Sequence, residues 1–299
     1  MPQPGSLLEP SLTEINFLKS ALLHSIRPDG RNYLDSRPIS IEFSSELGWV
    51  EVTLGSTRVL VSAHATLVSP RPDRPYEGFV EIRSEIQPMA GIQFERGRNN
   101  EEEILFDRGI DKAVRRSEVV DREALCVVAG YKVWSVCLTV HLLSAQGSAL
   151  DAAVLACIIS LRHFRRPDTS IESVIVHDES ERVPIPIALH HHPLSVSFAI
   201  FDPVHMASTY INGADEEEEG VIILLDPTPL ETTLCTSKLI VVANAQGEIC
   251  VLDKAGGRPL SQAVIQRAIQ LARRRVKELT DIMNKALLSD ASTRILDVI

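Results

Sequence analysis

Apolar positions change period several times along the 299-residue chain. Behind Ser11, Ile15, Leu18, Leu22 and Ile26 recur at helical spacing, and Glu14 stands three residues on to complete a capping box. The first element is therefore predicted as a helix, ended by Pro28 and Gly30. From Ile39 to Val68 the period falls to two, through "ISIEFSS", "GWVEVTLG" and "TRVLVSAHATLV" with glycine turns between them. Such runs predict an antiparallel meander. "SPRPDRPYEG", residues 69–78, reads as an exposed proline-rich loop, and "FVEIRSEIQP" as another alternating strand. "RGRNNEEEILFDRGIDKAVRRSEV" predicts an acidic helix start and then a helix with apolar positions Ile104, Leu105, Ile110 and Val114. "ALCVVAG" and "KVWSVCLTVHLLSA" follow as strands.

"HLLSAQGSALDAAVLACIISL", residues 141–161, passes from strand to helix through Gly147. The helix from Ser148 is apolar on every side, which predicts burial between a sheet and a second layer. "RHFRRPDTS", residues 162–170, is a plausible boundary. Beyond it come strands at "SVIVHD", "LSVSFAIF", "GVIILLDP" and "KLIVVANAQGEICVLDK". A closing helix starts at Ser261, with Val264, Ile265, Ala268, Leu271, Ala272, Val276, Leu279 and Met283 on one stripe and Arg273, Arg274, Arg275 and Lys277 in its middle. The order is α+β without steady β-α alternation. It divides into a lead-in at 1–30, a first domain at 31–165 and a second at 170–299.

A formal net charge of −10 argues against a protein that coats nucleic acid with its whole surface, but leaves room for a local basic lane. The five cysteines (Cys126, Cys137, Cys157, Cys235, Cys250) are odd in number and contain no CxxC, so neither a disulfide framework nor a zinc site is expected. The chain has no basic-then-apolar leader and no 18-residue apolar run, so a soluble intracellular protein without membrane contact is expected.

Several stretches carry candidate chemistry. The turn Gly147-Ser148 at the mouth of the buried helix has the shape of a phosphate cradle, because free amides and the positive end of the dipole gather there. No basic residue stands in that turn. His190, His191 and His192 are consecutive and converge poorly on one ion, so a solvated turn is the expectation and no metal is assigned. The glutamates of "ADEEEEG", residues 214–220, read as a solvated loop or an acidic contact. Arg108, Lys112, Arg115 and Arg116 fall at i, i+4, i+7 and i+8 and would share a helix face, solvated or lining a phosphate-neutralising groove. Arg71 and Arg74 add charge on the proline-rich loop.

"RPDGR" at Arg27–Arg31, "GWVEVTLGSTRVLVSA" at Gly48–Ala63, "DRGIDKAVRRSEVVDREALCVVAGYKVWSV", "GSALDAAVLAC", "PIPIALHHHPLSVSFAIF" and "LLDPTPLETTLCTSKLIVVANAQGEICVLDKAGG" appear in order. Together they resemble the RNase PH superfamily, and within it the non-catalytic ring subunits of the eukaryotic RNA exosome. The likeness runs from about Arg27 to Gly257. It implies an RNase PH-like fold of two subdomains, each a mixed sheet packed on helices, with helices at both ends. It also implies a six-membered ring around a channel for single-stranded RNA, with RNase PH-like neighbours, RNA-binding cap subunits and associated hydrolytic exoribonucleases as partners. No cofactor is implied. Nuclear, nucleolar and cytoplasmic RNA processing and degradation would be its setting.

Active members of the family cleave RNA from the 3′ end with inorganic phosphate, which brings one anion against another and so requires fixed positive charge. Their helix-opening turn carries Gly-Ser/Thr-Arg; here the matching residues are Gly147, Ser148 and Ala149. Active members also place two acids six residues apart in the "LLDPTPLETT" segment. Asp226 fills the first position and Thr232 the second, while a one-residue shift to Glu231 would turn an extended side chain to the opposite face. The resemblance with these two departures implies a catalytically silent subunit. By the same resemblance, Arg71 and Arg74 would line the channel neck, and Arg108, Lys112, Arg115 and Arg116 would meet RNA near an active-type neighbour. An active phosphorolytic enzyme with a borrowed arginine, and a scaffold with little RNA contact, are the alternatives.

Overall fold

The computed structural model describes residues 10–91, 94, 101–170, 175–177, 181–202 and 221–297. The acidic run 214–220 and much of "SVIVHD" lie outside them. Helix α1 spans Leu12–Leu23 and starts as expected, with the Ser11 hydroxyl accepting from the Glu14 amide and the Glu14 carboxylate accepting from the Ser11 amide. It ends earlier than expected: Ser25 turns left-handed at φ 60, and Ile26 is exposed instead of joining Leu18 and Leu22 inside.

Strands β1 (Ile39–Phe43), β2 (Trp49–Leu54) and β3 (Thr57–Val68) form the expected antiparallel meander. Next come β4 (Phe79–Ile86), β5 (Cys126–Val128) and β6 (Lys132–Ser144), completing a sheet of order β1-β2-β3-β6-β4 with β5 paired to β6. Within it β4 runs parallel to β6. A parallel pair needs a crossover, and α2 (Glu101–Ile110) lies on that connection. Phe106 and Ile110, one turn apart, face the core; Ile104 and Leu105, expected there too, point away from that stripe and are exposed.

After α2 the backbone widens into a π turn at Asp111–Arg115, with the Arg116 amide bonded to the Asp111 carbonyl five residues back at 3.0 Å. Helix α3 (Ala149–His163) is buried along almost its whole length and packs between the first sheet and the second. Short two-residue strands β7 (Arg165–Arg166), β8 (Thr169–Ser170), β9 (Ile175–Val176) and β10 (Ile185–Pro186) bridge to the second half as two small ladders.

The second sheet comprises β11 (Leu194–Phe201), β12 (Ile222–Leu225), β13 (Ser237–Ala243) and β14 (Ile249–Asp253), in the order β12-β11-β13-β14. Its described ladders are all antiparallel. Alternation divides β11 between two cores: Phe198 and Ile200 join the large cluster with α3, whereas Ala199 and Phe201 meet Leu18 and Leu22 of α1 on the other face. Short helix α4 (Pro229–Leu234) adds Leu230 and Leu234 to that second face. Helix α5 (Gln262–Asp297) buries Val264, Ala268, Ala272, Val276, Leu279 and Met283, most of its expected stripe. Near its far end, Asp290 Oδ2 lies 3.1 Å from His163 Nε2.

Candidate functional site

The turn before α3 meets the segment after β12. Gly147 sits at φ +89, and a Cβ there would lie 2.4 Å from the Pro227 carbonyl oxygen, so only glycine fits this close approach. Ser148 does not cap the helix with its side chain. It is itself left-handed at φ 43, and its hydroxyl is directed to the Pro227 carbonyl at 3.4 Å. The tight crossing of the two segments draws that hydroxyl away from the helix amides. Ala149 begins α3 and contributes no charge.

Asp226 also takes a left-handed conformation, φ 50, and is buried. Arg37 grips it from the segment just before β1: Nε donates to Oδ2 at 2.9 Å, Nη2 to Oδ1 at 2.7 Å, and the Arg37 amide to Oδ2 at 2.9 Å. The same guanidinium donates to the Gly147 carbonyl at 2.9 Å, the Thr57 hydroxyl at 3.3 Å and the Gln146 carbonyl. All five of its N–H groups are thereby engaged. Arg31 Nη1 adds a further contact to Asp226 Oδ2 at 3.0 Å. Burial alone would push the Asp226 carboxyl up, but the hydrogen bonds and charge of Arg37 outweigh it and hold it below the usual carboxylate range.

Glu231 is not on an extended chain. It lies in α4, whose N-cap Thr228 forms a capping box with it, and the helix turns the Glu231 carboxylate into the interior. There it meets Arg27, with Nε–Oε1 at 3.0 Å and Nη2–Oε2 at 2.7 Å; both side chains are fully buried. Arg27 also donates to the carbonyls of Leu225 and Asp226, each at 3.1 Å. Thr232 bonds back along α4, its hydroxyl donating to the Thr228 carbonyl at 2.8 Å. Below the turn, the first-turn residue Asp151 accepts from the Ser197 amide at 2.8 Å and the Ser197 hydroxyl at 2.9 Å. Burial pushes its carboxyl up to about 6 against those hydrogen bonds, and the charge of Asp226 adds to the rise.

The basic residues fall elsewhere. Arg71, Arg74, Arg115, Arg116 and Arg122 line a groove of about 300 Å³ together with Glu77, Gly78, Phe79 and Val80. The Arg71 guanidinium lies 5.4 Å from the centre of the Phe79 ring. Arg115 and Arg116 share Asp111, at 2.5 and 3.0 Å, and Arg74 pairs with Glu77 at 3.1 Å. The helix face expected to hold Arg108, Lys112, Arg115 and Arg116 is divided, because the π turn changes the angular step between residues. Lys112 reaches the second sheet and pairs with Asp253 at 2.6 Å, while Arg108 remains exposed on α2.

The 3′ exoribonuclease family model RNase PH matches residues 35–167 with its domain 1, and its domain 2 matches residues 191–275. The chain belongs to the RNase PH family. It is 37% identical over 282 residues to exosome complex component RRP45A of Arabidopsis thaliana, covering 93% of this chain and 87% of that protein. It is likewise 37% identical over 290 residues to exosome complex component RRP45 of Saccharomyces cerevisiae, covering 96% and 94%. Among solved structures, a chain of the Archaeoglobus fulgidus exosome with RNA bound to the active site superposes with a TM-score of 0.73 at 24% identity, covering 90% of this chain and 97% of that one. That likeness shows the fold.

Within this RNase PH chain, several residues escaped sequence reasoning. Arg27, Arg31 and Arg122 were visible only as parts of stretches that carry the family likeness, and Arg37 carried no local signal at all. Arg37 and Asp226 are separated by 189 positions, so no periodicity connects them. Asp151 sits in an otherwise apolar helix, and a lone acid on an apolar run is the signal that would have drawn attention to it. Among the described residues no group of three or more His, Cys, Asp or Glu is placed to hold a metal, His190, His191 and His192 included.

Proposed function

We propose that this chain is a non-catalytic ring subunit of an RNA exosome, which helps build the ring and line the path of single-stranded RNA. The observation that carries the reading is the embrace of Arg37 and Asp226 at the phosphate-cradle turn. Phosphorolysis requires free positive charge for the attacking phosphate and a free carboxylate beside it. Ala149 supplies no guanidinium. Arg37, the arginine that reaches the turn from elsewhere in the chain, has every N–H group bonded internally. Asp226 is held ionised by that arginine, and Thr232 offers a hydroxyl already bonded to its own helix. Gly147 and Ser148 keep the shape of the turn for packing.

Its partners on this reading are RNase PH-like neighbours in the ring, RNA-binding cap subunits and associated hydrolytic exoribonucleases, in the nucleus, the nucleolus and the cytoplasm. RNA contact falls to Arg71, Arg74, Arg115 and Arg116 in the groove, and to Arg108 and Lys112 beside it. Incubation of the purified full chain with single-stranded RNA and inorganic phosphate tests the proposal. No nucleoside diphosphate should be released, and RNA binding should be weak and steeply salt-dependent. Robust phosphate-dependent release would overturn it.

A further inference from the structure

We infer that Tyr76 and Tyr131 form a stacking platform for the bases of single-stranded RNA at the rim of the arginine groove, an inference that rests on the RNA-path reading above. The chain has only four tyrosines, and these two are 63% and 61% exposed. Both sit on loops that the backbone stitches together. The Gly130 amide donates to the Pro75 carbonyl at 3.0 Å, joining the residues that immediately precede each tyrosine. The Gly78 amide donates to the Arg122 carbonyl at 2.9 Å, tying the same loop to the groove wall. Tyr76 lies between the groove residues Arg74 and Glu77. The backbone thus brings the two tyrosine-bearing loops together beside the five groove arginines, near which stand the carboxylates of Glu77, Asp111 and Asp107.

That combination is the chemistry of sequence-tolerant single-strand binding: guanidinium groups neutralise phosphates while ring faces accept any base. A tyrosine loses few rotamers on contact, so ordering it costs little. An apolar protein neighbour would also cover tyrosines, but an excess of arginine beside them favours a polyanion.

The test measures binding of the full chain to a short single-stranded RNA carrying 2-aminopurine, across a salt series. Tyr76→Ala and Tyr131→Ala should each weaken binding about fivefold or more and restore 2-aminopurine emission, whereas Tyr76→Phe and Tyr131→Phe should bind like the parent. The slope of affinity against salt should not change, because neither ring carries charge. Alanine variants that bind RNA like the parent would overturn the inference, as would a reduced salt slope or loss of a protein neighbour with RNA affinity intact. Arg71→Ala combined with Arg122→Ala separates the two levels. If the arginine variant weakens RNA binding and the tyrosine variants do not, the stacking platform alone fails. If neither set has any effect, the RNA-path reading fails with it.

Discussion

Around Asp226 and Glu231, Arg27, Arg31 and Arg37 are drawn into the protein and bonded to carboxylates and backbone carbonyls. Along the groove five arginines gather; Arg74 pairs with Glu77, and Arg115 and Arg116 pair with Asp111, whereas Arg71 and Arg122 have no ion-pair partner among the described residues. The residue type is the same and the outcome is opposite. A guanidinium whose donors are engaged from within fastens segments of the chain to one another; one whose donors face solvent can hold an incoming anion. Charge at a site is therefore no measure of its capacity to bind phosphate. What counts is how many N–H groups remain uncommitted.

The sharpest way to break this contrast is Glu231→Ala, which strands the fully buried Arg27 guanidinium. Losing one partner of a buried pair is expected to cost about 3–5 kcal/mol, measured by urea unfolding of the full chain. A loss near zero would mean that the carbonyls of Asn32, Asp35, Leu225 and Asp226 suffice without the carboxylate.

Asp151→Asn comes next. The Asp151 carboxyl is raised to about 6 in the folded chain, so its contribution to stability is full below the ordinary aspartate range and is lost as pH rises through about 6. Asp226, held low, contributes in the opposite sense: its stability is present above the ordinary range and is lost as pH falls through its folded value. Unfolding curves of the Asp151→Asn variant should therefore lack the decline between about pH 4 and pH 7, a difference on the order of 2–3 kcal/mol. An unchanged decline would assign it to other groups.

Gly147→Ala should follow, at about 1–3 kcal/mol, since the new methyl group would press on the Pro227 carbonyl at a positive φ. The smallest stability effect belongs to the groove. Arg71→Ala or Arg122→Ala should leave the melting temperature nearly unchanged while reducing the salt slope of RNA binding by about one each. A large drop in stability there would erase the distinction between the two clusters.

Much of the architecture was legible because it is written in short-range spacing. The β1-β2-β3 meander, the Ser11–Glu14 capping box, the all-round apolar α3 and the stripe on α5 each follow from neighbours within a turn or a strand pair. The candidate site was legible only in outline, as Gly147, Ser148, Ala149, Asp226 and Thr232. Its filling was not, because Arg37 and Asp226 meet through the fold and not through any repeat. Local rules also misplaced several details, Ile104 and Leu105 among them. Glu231 was read on an extended chain, where Thr228 and Pro229 in fact open a helix. The basic residues after Asp107 were read on a continuous α-helix, where a π turn intervenes. Ile26 was read as inside, where the helix has already ended.

The two regions matched to the family share one hydrophobic core. Residues of both sheets, α3 and α5 belong to one hydrophobic cluster, and the far end of α5 returns to touch His163 at the end of α3. Cutting the backbone within 162–170 should accordingly fail to release either half as a folded piece. A push delivered to one sheet would be passed through α3 to the other with little to absorb it, so in an assembly this chain would act as a stiff wedge and not as a hinge.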